Sequence, residues 1–360
     1  MKTKEEIALH RLKQQQLAQP VFEKAEEVVG WLGAVQAQDY NAAKWAVAQR
    51  SKGLTDAALD EAFAKGAILR THLLRPTWHF VTPDDIRWIQ ALTAARNKAA
   101  SAYYLSRLKL DEATCARSNA VLADALQGGK QFTRTELGSM LKKAGIDTQV
   151  SLRLNYILMR AELDGVITSG GRRGKQFTYA LLDERAPQAR GLDRDEALAE
   201  LTRRYFTGHG PASMQDFIWW SGLSAADVRA GLDMAAADLS HEEIDGKTYW
   251  FAASLPAAAN SSPSVYLLPI YDEYIIGYTD RSAVFEVPDT KPSNPGNAIL
   301  FNPTLIIDGR VCGRWKRSFS KGQVLLEVNP IAKLSSLEEG ALAEAIERYA
   351  KFHGMPVVFV

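Results

Sequence analysis

Apolar residues first recur at helical spacing and then at every second position over residues 132–181. Thr133-Arg134-Thr135-Glu136 forms a capping box, with Leu137 and Leu141 on one face of the helix that follows, up to about Gly145. Leu154, Ile157 and Leu158 predict a second helix over 151–163. Two β-prone runs, 166–168 and 177–181, flank a glycine-rich tip, 170–175, and predict a hairpin. The order repeats downstream. Ser213 and Asp216 open a helix through Phe217–Trp220, Ser224 caps the next over 225–237, and strands over 239–244 and 248–252 surround Asp245-Gly246-Lys247. Near the start, helices are predicted over 7–17, 23–32 and 56–65, then strands over 68–73 and 77–81 around Leu74-Arg75-Pro76. A capped helical region follows from Thr82 to about Leu126. The last hundred residues differ. Short strands are predicted over 265–270, 283–287, 304–307, 310–315 and 323–328, with Asp308-Gly309 as a hairpin turn, before a capped helix over 335–352.

These elements predict an α+β fold: tandem winged-helix units (helix-turn-helix plus β-hairpin) with a small C-terminal β-rich domain. The expected divisions are 1–128, 129–190, 191–256 and 257–360. Three units in tandem suggest a curved array. A helix pair followed by a cationic hairpin grips nucleic acid with the second helix in a groove and the wing on phosphate. Arg172, Arg173 and Lys175 are the wing candidates.

Composition is that of an ordinary globular protein, 46% hydrophobic and 24% charged over 360 residues. Net charge is only +1, but its distribution is uneven. No acid lies between Asp85 and Asp111, against Arg87, Arg96, Lys98, Arg107 and Lys109. None lies between Asp308 and Glu327, where Arg310, Arg314 and Lys316 mark a second basic hairpin. A chain neutral overall but basic in blocks can present one phosphate-binding face. Cys115 and Cys312 fit no CxxC pattern, which argues for a reducing compartment. The charged start predicts no signal peptide, and no apolar run approaches membrane length. A soluble, cytoplasmic, nucleoid-associated monomer with no membrane contact is expected. The six histidines have no metal-ligand spacing and no phosphate-cradling glycine loop is present, so no metal and no cofactor are expected.

Several segments go beyond the generic pattern: Ala34-Val35-Gln36-Ala37-Gln38-Asp39, Arg75-Pro76-Thr77-Trp78-His79, Gly210-Pro211-Ala212-Ser213 and Trp219-Trp220-Ser221-Gly222. Leu268 to Tyr274 and Asp308 to Trp315 complete the set. Together they resemble the bacterial winged-helix family that includes the AlkZ and YcaQ DNA glycosylases, in the right order over nearly the whole chain. The resemblance implies three winged-helix units stacked around a concave channel for double-stranded DNA. It implies hydrolysis of the N-glycosidic bond of N7-alkylated purines, bulky adducts and interstrand crosslinks included. The family's Gln-apolar-Gln signature maps onto Gln36-Ala37-Gln38.

A glutamine amide has no useful basicity near neutral pH, but it can orient a water. An N7-alkylated purine already carries positive charge and departs without protonation, so positioning one water against the sugar cation suffices. Residues two apart share a side only in extended chain, and Gly33 can end the preceding helix to permit that. Without the resemblance, Gln36 and Gln38 would be ordinary polar surface residues or caps. Asp39 ranks second as a group for the sugar cation or the water. Arg75 is a phosphate candidate. Thr77 and His79 alternate onto one strand face, to touch phosphate or support the site, although such a histidine is more often structural. Tyr271-Asp272-Glu273-Tyr274 is expected to be a packed corner, and Trp219-Trp220 core. The alternative function is a winged-helix transcription regulator that binds DNA without chemistry, usually as a symmetric dimer. A third is a scaffold whose wings bind protein.

Overall fold

Helices begin where short polar side chains cap them. Thr133 with Glu136, Ser213 with Asp216, and Ser335 with Glu338 form reciprocal boxes ahead of Arg134–Lys143, Met214–Ser221 and Ser336–His353. Each such cap is worth about 1 kcal/mol. The computed structural model describes residues 3–254, 263–285 and 301–359. The fold is mixed α+β.

Helices Arg134–Lys143 and Ser151–Leu163 are followed by strands Ile167–Arg173 and Gln176–Leu181, and Phe132–Thr133 pairs with the second strand. Helices Met214–Ser221 and Ala225–Met234 precede the hairpin Leu239–Ile244 with Lys247–Ala252. In the N-terminal part, helix Asp56–Lys65 leads into strands Leu69–Leu73 and Thr77–Val81, and the two-residue strand Val35–Gln36 lies on the free side of Thr77–Val81. The C-terminal strands form one five-stranded sheet, antiparallel except at its last strand, Val357–Phe359. Asp308 and Gly309, with φ of 47° and 83°, turn the hairpin expected there.

Three expectations need correction. Residues 282–284 form a turn, not a strand, with Val284 N–H donating to Arg281 O; residues 286 and 287 lie outside the described ones. Gly170-Gly171 is a bulge inside a strand, not the hairpin tip, which is Gly174-Lys175. A Cβ on Gly170 would meet Thr178 Oγ1 at 2.5 Å, so the bulge needs glycine there. Trp219 is 39% exposed, whereas Trp220 is core.

Among the described residues four buried clusters carry the packing, and the segment entering the Gln-Ala-Gln motif joins two of them. Ala34 packs with Leu69, Leu201 and Trp220, while Val35 and Ala37 pack with Trp45, Leu267 and Trp315. Period-two alternation of a short extended segment thus fixes the motif between the N-terminal hairpin, the second helical pair and the C-terminal sheet. Among the described residues no helix is long and apolar enough to cross a membrane.

Candidate active site

Helix Ala25–Leu32 ends at Gly33, whose φ of 78° lies in the left-handed region that disfavours other residues. The chain then runs extended. Val35 and Gln36 pair with Phe80 and His79, and Ala37 N–H donates to Trp78 O at 2.7 Å. Ala37 is buried, Gln36 half-buried and Gln38 exposed, so the two amides share the outer side of the segment as extended backbone requires. Asp39 is exposed as well, but its Oδ1 accepts from Ala42 N–H and caps helix Tyr40–Ala48.

Each amide is oriented by a protein donor. Gln36 Oε1 accepts from the Arg75 guanidinium at 3.2 Å, and Gln38 Oε1 accepts from Trp78 N–H at 3.4 Å. A carbonyl oxygen has two lone pairs, so each keeps one for a water, and both NH2 groups remain donors. Arg75 lies 5.0 Å from the Trp219 ring, which explains why that tryptophan sits at the surface. Burial pushes the Arg75 guanidinium below its ordinary value.

Behind this layer the groups are fully enclosed. Glu273 Oε1 accepts the Gln36 backbone N–H at 2.7 Å, while Oε2 accepts from Trp220 Nε1–H at 2.9 Å and faces His209 Nε2 at 3.3 Å. Burial alone would raise the Glu273 carboxyl, but the His209 and Gln36 N–H hydrogen bonds and the neighbouring histidines together hold it below the usual value. Burial keeps His209 neutral, so its Nε2–H is the donor. Arg70 secures the other side of the motif: Nε donates to Ala37 O at 2.9 Å while the guanidinium lies over Trp78 and Phe177.

Gln36, Gln38, Asp39, Arg75, Thr77 and His79 thus belong to one contiguous region. His79 is buried, its Nδ1 bonding Thr77 O at 2.9 Å, so it supports the site from behind and reaches no phosphate. The half-buried Thr77 leaves its hydroxyl without a partner among the described residues. Burial, reinforced by the Arg75 charge, pushes the His79 imidazole down to about 4. The folded value lies below the unfolded one of about 6.5, so the unfolded chain holds the proton more tightly. Stability is therefore full above about pH 6.5 and is expected to fall by about 3 kcal/mol as pH drops to about 4. Thermal unfolding across that window should show a shallower slope for His79→Gln; an unchanged slope rejects the assignment.

The cationic candidates are placed differently from one another. The bulge turns Arg172 inward, 5.0 Å from the Tyr40 ring and 3.7 Å from Asp60, so it ties the hairpin to the N-terminal helices. Arg173 pairs with Glu136 at 2.8 Å, and Lys175 is exposed at the tip. Arg310 pairs with Glu5, Lys316 lies 4.0 Å from Glu327, and Arg314 is exposed on the same strand. Sequence reasoning missed Arg70, His209 and the functional side of Glu273. Glu273 contacts Gln36 across 237 residues, a separation no local pattern reports. Among the described residues, no group of three or more His, Cys, Asp or Glu could hold a metal.

The model of the AlkZ-like DNA glycosylases matches residues 29–352. The chain belongs to that family. It is 24% identical over 323 residues to an interstrand DNA cross-link repair glycosylase of Streptomyces sahachiroi, covering 85% of each chain. The solved structure of Streptomyces sahachiroi DNA glycosylase AlkZ is similar throughout, with a TM-score of 0.81, 22% identity and full coverage of both chains. Family membership makes the chain an enzyme of the DNA glycosylase class and does not favour a regulator without chemistry.

Proposed function

We propose that this glycosylase hydrolyses the N-glycosidic bond of N7-alkylated purines in duplex DNA, bulky adducts and interstrand crosslinks included, and that Gln36 and Gln38 position the water. The carrying observation is the pair of outward amides on extended backbone, each with its carbonyl already oriented by a protein donor. The C1′–N9 bond breaks and its electron pair leaves with the base, neutralising the purine's charge. Water oxygen bonds to C1′ of the sugar cation and gives its proton to solvent, leaving an abasic site. No group need protonate the base, which suits a site built of neutral amides.

The three helix-containing hairpin units read as winged helices around the duplex, dividing the chain at 1–128, 129–190, 191–256 and 257–360. Lys175, Arg173, Arg314 and Lys316 hold backbone from outside, and extrusion of the base into a tight pocket is unnecessary, which suits bulky lesions. Arg172 contributes through packing. The protein acts as a monomer.

The test is base release from duplexes carrying 7-methylguanine or an N7–N7 crosslink. Release is expected from both, and failure with both overturns the reading. Lys175→Ala should reduce the salt dependence of duplex binding by about one counterion with the cleavage step unchanged.

A further inference from the structure

Asp272 and Glu273 are adjacent and fully buried, yet they are treated differently. Asp272 is neutralised by the Arg50 guanidinium at 2.7 Å and 3.0 Å, the arrangement expected of a structural carboxylate. Among the described residues the Glu273 side chain accepts three hydrogen bonds, from Gln36, His209 and Trp220, and no lysine or arginine is among the donors. Among the described residues its only ion-pair partner in reach is His209, held neutral by burial. The nearby Arg75 directs its guanidinium to Gln36 Oε1 instead. A full negative charge therefore stands directly behind the backbone of Gln36, on the side opposite the exposed amides. Such a charge is expensive to bury, and where one persists without a cation hydrogen-bonded to it a functional site is the usual place.

A second charge sharpens the point. Arg75 is a half-buried cation in contact with Gln36, and alone it would repel a sugar cation forming beside that residue. Glu273 offsets it from behind. Resting on the reading that Gln36 and Gln38 flank the reacting sugar, we propose that Glu273 is a positioning residue for base release. It fixes Gln36 through the backbone N–H and supplies the pre-oriented negative charge that stabilises the sugar cation. It never touches substrate or water.

The test is Glu273→Gln, which keeps the shape and an acceptor for Gln36 N–H but removes the charge. Single-turnover release of 7-methylguanine should fall about 10- to 100-fold, with duplex affinity close to wild type; the thermal midpoint falls as well, because the new NH2 faces the Trp220 and His209 donors that shared one carboxylate oxygen. A purely structural role predicts the lower midpoint with the rate preserved in the folded protein. A second readout isolates the charge. Wild type should bind duplex containing a cationic pyrrolidine abasic analogue more tightly than the neutral tetrahydrofuran analogue, and E273Q should lose about tenfold of that preference. A wild-type rate in E273Q, or an unchanged analogue preference, overturns the proposal. Should E273Q fail to fold, Glu273→Asp withdraws the charge from Gln36 and should slow release several-fold; a wild-type rate there overturns it equally. Wild-type protein that releases no base overturns both this proposal and the reading beneath it, whereas active wild type with equally active E273Q sinks this proposal alone.

Discussion

Replacing Gln38 by alanine is expected to slow base release at least about 100-fold while duplex affinity stays within about twofold of wild type. Gln38 is exposed, so its loss opens no cavity and strands no buried partner except the Trp78 N–H, which water can reach at that surface. The fold should therefore be intact and the effect confined to the chemical step. Gln36→Ala should slow release comparably, with a small additional effect because the Arg75 guanidinium loses its acceptor. The two amides act on one water, so the double variant should be only slightly worse than the poorer single one. Single-turnover release, with binding measured separately on undamaged duplex, checks both. Full activity in Gln38→Ala leaves Asp39 as the remaining local group. That carboxylate already caps helix Tyr40–Ala48, and Asp39→Asn, which retains a capping oxygen, should keep most of the rate.

The parts of this architecture legible from sequence are those decided within a few residues. Capping at Thr133, Ser213 and Ser335, the helical stripe of Leu154, Ile157 and Leu158, and the Asp308-Gly309 turn all depend on local geometry, and all are present. Extended backbone at Gln36 was likewise required by the spacing of the two amides and permitted by Gly33. Composition becomes ambiguous where a residue serves two purposes. Gly170-Gly171 has the composition of a turn, but a bulge also needs residues without Cβ, and register across the strand pair decides between them. That one substitution of bulge for tip carries Arg172 from the expected solvent edge onto Tyr40 and Phe177. Trp219 reads as core because of its size, while its surface position reflects the guanidinium of Arg75, far away in the chain. Asp272 and Glu273 were legible as a packed corner, and burial agrees. What separates their roles is the partner each finds, Arg50 for one and Gln36 for the other, and both lie more than 200 residues upstream.

The same corner carries the largest expected loss of stability. Asp272 accepts both terminal nitrogens of Arg50, and its Oδ1 also accepts from Tyr274 N–H at 2.9 Å, so one carboxylate neutralises a buried cation and caps the short helix bearing Glu273. Asp272→Ala leaves the guanidinium, itself 1% exposed, with only Gln15 Oε1 and Ala46 O as acceptors among the described residues. Removing one member of such a pair costs about 3–5 kcal/mol, a large share of the roughly 5–15 kcal/mol that holds a typical domain folded. In a protein of this size that is expected to lower the thermal midpoint by about 4–7 °C. Changing both partners to apolar residues, Arg50→Met with Asp272→Leu, should recover much of the loss, because no uncompensated charge then remains. The double variant still lacks the cap that sets Glu273 against Gln36. Stability should thus return further than the rate of base release, and that divergence separates holding the fold from aligning the amides. Chemical unfolding and single-turnover release on wild type and the two variants read the two quantities independently. A loss below about 1 kcal/mol for Asp272→Ala, or parallel recovery of stability and rate, contradicts the division of labour between the two acids.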